Sequence, residues 1–282
     1  MHKFKGILYI ICAGFFFALM TFFVRLSGDL PTMQKAFFRN AVAATVSCVM
    51  LLRTEEKFHI QKGNLPALFL RAACGTIGLI FNFYAIDKLN ISDANMLNKL
   101  SPFFAIIASY FILKEKANIV EWITVAVAFA GSLFIIKPSF DITSIYAVIG
   151  ALGGLFAGLA YTFVRKLGQH GERGPVIIMF FSVFSCLVCV PFIVFNYQPM
   201  AMWQLGYLLL AGTAATGGQL FITKAYTFAP AKEISVFDYT QVLFAALLGF
   251  VFLDQLPDVY SVIGYVVIIG CAVYKWYYMK KH

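Results

Sequence analysis

The chain carries one unit twice, offset by 140 residues without a gap. Phe23-Val24-Arg25 with Gly28 recurs as Phe163-Val164-Arg165 with Gly168. Thr76, Gly78, Phe81 and Ala85 recur as Thr216, Gly218, Phe221 and Ala225, and Gly14, Phe16 and Leu19 recur as Gly154, Phe156 and Leu159. Each copy holds five apolar segments. A second copy that follows an odd number of membrane crossings must enter the bilayer upside down. An inverted repeat is the arrangement expected of a secondary transporter with its site near the midplane.

The residues between these matches support a membrane setting. The chain is 61% hydrophobic and 12% charged, with a mean hydropathy of +0.82, whereas soluble domains carry about 25% charged residues. Its apolar runs are long enough to cross a hydrocarbon core of roughly 30 Å as helices at 1.5 Å per residue. They are continuous rather than alternating, which selects helices over a barrel. Ten spans are expected, near 6–24, 35–52, 65–87, 92–113, 119–136, 145–164, 175–195, 204–228, 231–253 and 258–278. The expected fold is therefore an all-α polytopic membrane protein, with ten transmembrane helices as two inverted five-helix repeats. The repeats occupy residues 1–140 and 141–282, joined at the helix-breaking Lys137-Pro138-Ser139. The first segment is too long for a signal peptide and lacks a small-residue cleavage pattern.

The net charge of +9 is a topology signal rather than a nucleic-acid footprint. Lys3, Lys5, Arg53, Lys57, Lys62, Lys114, Lys116, Arg165, Lys166, Arg173, Lys232, Lys275, Lys280 and Lys281 lie at the termini or in even-numbered loops. Odd-numbered loops and their flanks hold Arg25, Lys35, Arg39, Lys88 and Lys137. Positive residues stay inside, so both termini are expected in the cytoplasm. All six cysteines fall in spans, and Cys186-x-x-Cys189 reads as a buried apolar pair rather than a redox or metal motif. The four histidines lie in loops or termini, so no span-buried metal site or histidine relay is expected, and no cofactor is implied. No phosphate-binding glycine loop is present, which argues against ATP-driven transport.

Charge inside a span costs about 2.5–3.5 kcal/mol on insertion scales and marks functional positions. In the fourth span Asn95, Asn98 and Lys99 are spaced i, i+3, i+4 and share one helix face. In the ninth, Ser235, Asp238 and Tyr239 have the same spacing, and the 140-residue shift superposes the two sets. The two stripes are expected to face one another across a central cavity. Continuous helices put the Lys99 and Asp238 backbones on the order of 13 Å apart in depth. That favours two charges at two levels of the cavity over a direct ion pair. A bland alternative has Lys99 snorkelling to the interface and Asp238 capping nearby backbone. Asp238 is also the candidate for proton coupling, since a carboxylate in a low-dielectric cavity takes up protons more readily. Arg39, Asn82, Tyr84, Tyr161, Gln219 and Lys224 are further polar candidates. Arg39 either lines the outer vestibule or anchors the interface, and Gln219 makes either a helix–helix bond or a substrate contact.

These motifs resemble the drug/metabolite transporter superfamily of EamA type over essentially the full chain. The resemblance rests on Phe37-Phe38-Arg39, Arg71 with Gly75, Phe83-Tyr84-Ala85-Ile86, Ser101-Pro102-Phe103 and Leu113-Lys114-Glu115-Lys116 in the first half. In the second it rests on Lys224-Ala225-Tyr226, Ala229-Pro230-Ala231, Phe237-Asp238-Tyr239-Thr240, Ala245 to Gly249 and Pro257. The resemblance implies two inverted five-helix repeats around a central cavity and transport of a small organic solute across the cytoplasmic (inner) membrane of a microbe. One departure is visible: Glu115 has Gln255 opposite it, with Asp254 displaced by one.

The expectation is a permease that moves a small polar or zwitterionic metabolite by alternating access, with Asn95, Asn98, Lys99, Ser235, Asp238, Tyr239, Arg39, Tyr84 and Gln219 as substrate-binding candidates. Its expected partners are the solute, membrane lipid and protons as coupling ion, with the protein a monomer or homodimer. The alternatives are a lipid scramblase or flippase, or an intramembrane enzyme. The last would need a Ser–His dyad, paired aspartates or a metal, and the spans offer one mid-span aspartate and no histidine.

Overall fold

The computed structural model describes residues 2–88, 95, 97–137, 145–253 and 256–281. Among these residues the secondary structure is helical. The first half contains α1 (His2–Leu26), α2 (Thr32–Leu52), α3 (Leu65–Lys88), α4 (Ser101–Leu113) and α5 (Ile119–Ile136). The second contains α6 (Ile145–Gln169), α7 (Gly174–Asn196), α8 (Met202–Phe228), the short α9 (Ala231–Ile234), a 3-10 turn over Ser235–Tyr239, α10 (Thr240–Leu253) and α11 (Val259–Lys281). Nine segments among the described residues are long and apolar enough to cross a membrane, and α4 is a shorter apolar helix. The start of the expected fourth span, the 137–141 linker and the Asp254/Gln255 turn lie largely outside the described residues.

Two expected spans are not continuous helices. The fourth is interrupted by a turn at Lys99–Leu100 before α4 begins at Ser101. Pro102 sits in the first turn of α4, where a missing N–H costs nothing, so the sequence favours a helix start there. The ninth tightens into the Ser235–Tyr239 turn before continuing as α10. The Lys99–Leu100 turn and the end of the 3-10 turn fall 140 residues apart. Elsewhere the chain follows its sequence signals: Asn118 and Glu121 form a reciprocal capping box at the start of α5, worth about 1 kcal/mol.

The packing obeys the same shift. α1 packs on α8 as α6 packs on α3; α4 packs on α6 as α10 packs on α1; α2 packs on α8 as α7 packs on α3. The pairs α2–α7 and α5–α11 map onto themselves. Small residues permit the closest approaches. A Cβ on Gly78 would lie 3.0 Å from the Ala157 nitrogen, and one on Gly153 would lie 3.0 Å from the Asn82 nitrogen. The α3–α6 seam is therefore nearly backbone on backbone, the arrangement small residues allow between membrane helices.

The two ends of the bundle differ. At the end that carries the even-numbered loops, charged side chains tie the loops together. Arg173 ion-pairs with Glu56 at 3.1 Å and donates to the Lys57 and His59 carbonyls. Glu172 accepts from Asn64 Nδ2 and the Gln61 N–H. Arg165 ion-pairs with Glu115 at 3.1 Å and donates to the Thr227 carbonyl at the end of α8. At the opposite end a broad mouth lies between the α1–α2 and α7–α8 connections, with Gln34 bonded to both the N–H and the carbonyl of Gln198 beside it.

Candidate functional site

The mouth leads into a vestibule of about 1030 Å³, whose wall includes Asp29, Lys35, Asn95, Asn98, Asn196 and Gln198. A narrower recess of about 160 Å³ lies beyond it. The two share Met20, Arg39, Asn82, Asn98 and Gln241, so they are contiguous. Helices α1, α2, α3, α6, α7 and α8 all supply walls of the recess.

Two arginines dominate this recess. Arg39, from α2, is 9% exposed, and Arg71, from α3, is 3% exposed. Arg39 Nε donates to Met20 Sδ at 3.1 Å, a weak acceptor, and its Nη1 is buried without a partner. Arg71 Nη2 donates to Gln219 Oε1 at 3.3 Å, and its Nε is buried without a partner. Arg71 also stacks on the Phe181 ring, 4.2 Å from guanidinium carbon to centroid. Among the described residues, the ion pairs involve neither arginine. Asn82 Oδ1, a buried acceptor in the same recess, also has no partner.

The polar stripes meet directly behind this recess. Lys99 Nζ lies 3.2 Å from Asp238 Oδ2 and donates to Gln241 Oε1 at 2.8 Å. The Tyr239 hydroxyl donates to the Lys99 carbonyl at 3.0 Å. The expected separation of Lys99 and Asp238 in depth is thus corrected: the two charges form an ion pair. The backbone departs from a continuous α-helix at 99–100 and 235–239, and a separation in depth drawn along straight helices does not hold across those turns. Of this cluster, Gln241 lines both cavities, while Lys99, Asp238, Tyr239 and the fully buried Ser235 line neither.

The other candidates divide. Asn98 lines both cavities, Asn95 the vestibule, and Gln219 and Tyr161 the recess. Arg39 is buried at the junction of the two rather than anchored at an interface. Gln219 makes a helix–helix bond and also faces the recess. Tyr84 is exposed, with its ring 5.9 Å from that of Tyr146, and lines neither cavity. Lys224 sits over the Tyr9 ring at 5.6 Å, away from both. The described cysteines are free thiols, including Cys186 and Cys189.

Arg71 is the residue that sequence reasoning passed over, as one letter of a motif. Its signal is a glycine one turn on. A Cβ at Gly75 would collide with Arg71 Nη1 and lie 2.8 Å from the Phe181 ring. The guanidinium thus folds back along its own helix into space that only glycine leaves.

A sequence model described as the EamA-like transporter family matches the chain twice, at residues 4–137 and 144–274. The chain is 31% identical to the pseudopaline exporter CntI of Pseudomonas aeruginosa, over 95% of each chain. It is 24% identical to human solute carrier family 35 member G1, over 98% of this chain and 81% of that one. It is 25% identical to a riboflavin transporter of Vibrio cholerae, over 91% of this chain and 87% of that one. A crystal structure at 13% identity superposes with a TM-score of 0.79 over 96% of each chain, a likeness of fold.

Proposed function

Because this chain belongs to the EamA-like transporter family, and so is a multi-pass membrane transporter, we propose that it moves a small polar organic solute by alternating access between two inverted five-helix repeats. The single observation that carries this reading is the open vestibule that narrows to a buried polar recess while the opposite end is tied by ion pairs. With the lysine- and arginine-rich loops in the cytoplasm, the geometry corresponds to an outward-open state. Transport to the other face requires release of Arg173 from Glu56 and Arg165 from Glu115, and closure of the mouth near Gln34 and Gln198.

The solute is bound by Arg39, Asn98, Gln219 and Gln241, with Asn95 on its approach path. Lys99, Asp238 and Tyr239 hold the two interrupted segments together beside it, and Ser235 is buried in the 3-10 turn. Discontinuous segments at a cavity are a recurrent device of secondary transporters. Asp238 is the candidate for proton coupling: a proton on its carboxylate would dissolve the ion pair and free Lys99 to pull on Gln241 alone. Asp238→Asn should then remove the pH dependence of transport, and transport that keeps its full pH dependence would exclude the role. The broader reading is tested by solute counterflow in liposomes containing the purified protein, scored against lipid flipping. Flipping with no solute flux would replace the transporter with a scramblase.

A further inference from the structure

We infer that the recess is an oxyanion site, and that the transported solute carries a carboxylate or phosphate head seated between Arg39 and Arg71. The inference deepens the transporter reading and rests on it for the word "transported" alone.

Three observations carry it. The first is charge: two guanidiniums are buried in one small recess, and no described ion pair neutralises either. The nearby carboxylate of Asp238 is engaged by Lys99, so the cluster as a whole retains an excess of two positive charges. Buried charges are normally paired, and a guanidinium is the side chain best shaped to receive a carboxylate or phosphate with two parallel N–H bonds. The second is hydrogen bonding: Arg39 Nη1 and Arg71 Nε are buried donors with no acceptor in the protein. The third is preorganisation: Gly75 and the Phe181 ring fix the Arg71 guanidinium at the wall of the recess, where Gln219 holds one of its nitrogens.

Size sets the rest of the ligand. About 160 Å³ admits a charged head and a few waters, so the body of the molecule occupies the vestibule, against amides such as Asn95 and Asn98. The repeat places both cations on one side of the chain's own symmetry. Arg39 and Arg71 belong to the first copy, and the second has Met179 and Ala211 at the shifted positions. An asymmetric pair of arginines grips one end of an asymmetric solute.

The test is thermal unfolding of the full-length protein in a neutral maltoside detergent. The probes are citrate, succinate, glycerol 3-phosphate, glucose, spermidine and phosphatidylglycerol, at matched ionic strength. A ligand that binds the folded state raises the midpoint. Citrate, succinate or glycerol 3-phosphate should raise it, and glucose and spermidine should not. The relative response to carboxylates and to the phosphate ester identifies the head. Arg39→Gln and Arg71→Gln should each weaken the effective probe at least 10-fold, and Arg71→Lys should weaken it less than Arg71→Gln. Counterflow of the same probes in liposomes separates the two readings. Oxyanions that bind without being exchanged leave the site standing and remove the transporter. Exchange of glucose or spermidine with no response to any oxyanion leaves the transporter standing and overturns the site. A response to phosphatidylglycerol alone, or an oxyanion response unchanged in both glutamine variants, also overturns it.

Discussion

The Arg71 guanidinium occupies the space that a methyl group on Gly75 would fill. One residue's conformation is thus set by what another lacks. Gly75→Ala should push the guanidinium off the Phe181 ring and out of the recess. Alanine in a helix interior is favoured over glycine by about 1 kcal/mol, but its Cβ would also lie 2.8 Å from the buried Phe181 ring, so the variant should fold with an unfolding midpoint no higher than the parent's. Its affinity for the probe that stabilises the parent should fall at least 10-fold. Unfolding midpoints with and without that probe give both numbers, and an unchanged probe response would mean that the guanidinium has another route into the recess.

The Lys99–Asp238 pair should behave as a structural clamp. Removal of one partner from a buried pair is costly, about 3 kcal/mol, while exchange of both for apolar residues is often close to neutral. Lys99→Met and Asp238→Leu should each lower the unfolding midpoint, and the double variant should recover most of the loss. A double variant as unstable as the sum of the singles would show that the two charges act independently.

The α3–α6 seam should not tolerate a side chain. Gly78→Val would drive atoms into the Ala157 backbone, and loss of a single monodisperse peak in size-exclusion chromatography is the expected result. Gly206→Ala, on α8 with nothing within 4 Å of the added carbon, should elute and unfold as the parent does.

The tied end should set the resting state. Arg173→Ala removes an ion pair and its hydrogen bonds to the Thr54 to His59 segment. A cysteine introduced at Thr223, in the small cavity beside Glu172, should then react faster with a membrane-impermeant maleimide supplied from the even-loop side. Equal rates in both backgrounds would assign the closure to other contacts.

Much of this architecture is legible in the amino-acid sequence. The apolar runs anticipate the helices, and the repeat with its motifs anticipates the family. The runs do not anticipate the turns at 99–100 and 235–239. Leu100, Val236 and Phe237 are as apolar as their helical neighbours, so periodicity is silent where the backbone departs from a helix. The ion pair of Lys99 and Asp238 depends on those turns, so the sequence pattern does not show it. Arg71 was hidden for another reason. Its position near the start of a span looks interfacial, and its burial depends on Phe181, 110 residues away in sequence. The mismatch of Arg39 with Met179 and of Arg71 with Ala211 is visible in the repeat.

A recess holding two uncompensated guanidiniums has an electrical consequence. If it alternates between the two faces of a membrane, the empty protein carries that charge through the field, at about 2.3 kcal/mol per elementary charge for each 100 mV crossed. A divalent anion would cancel it, leaving the loaded step indifferent to voltage and the empty return step driven or opposed by it. Currents recorded from protein-containing liposomes on a solid-supported electrode would then report the valence of the cargo, and the absence of any voltage effect would imply that the charge stays fixed while the helices move around it.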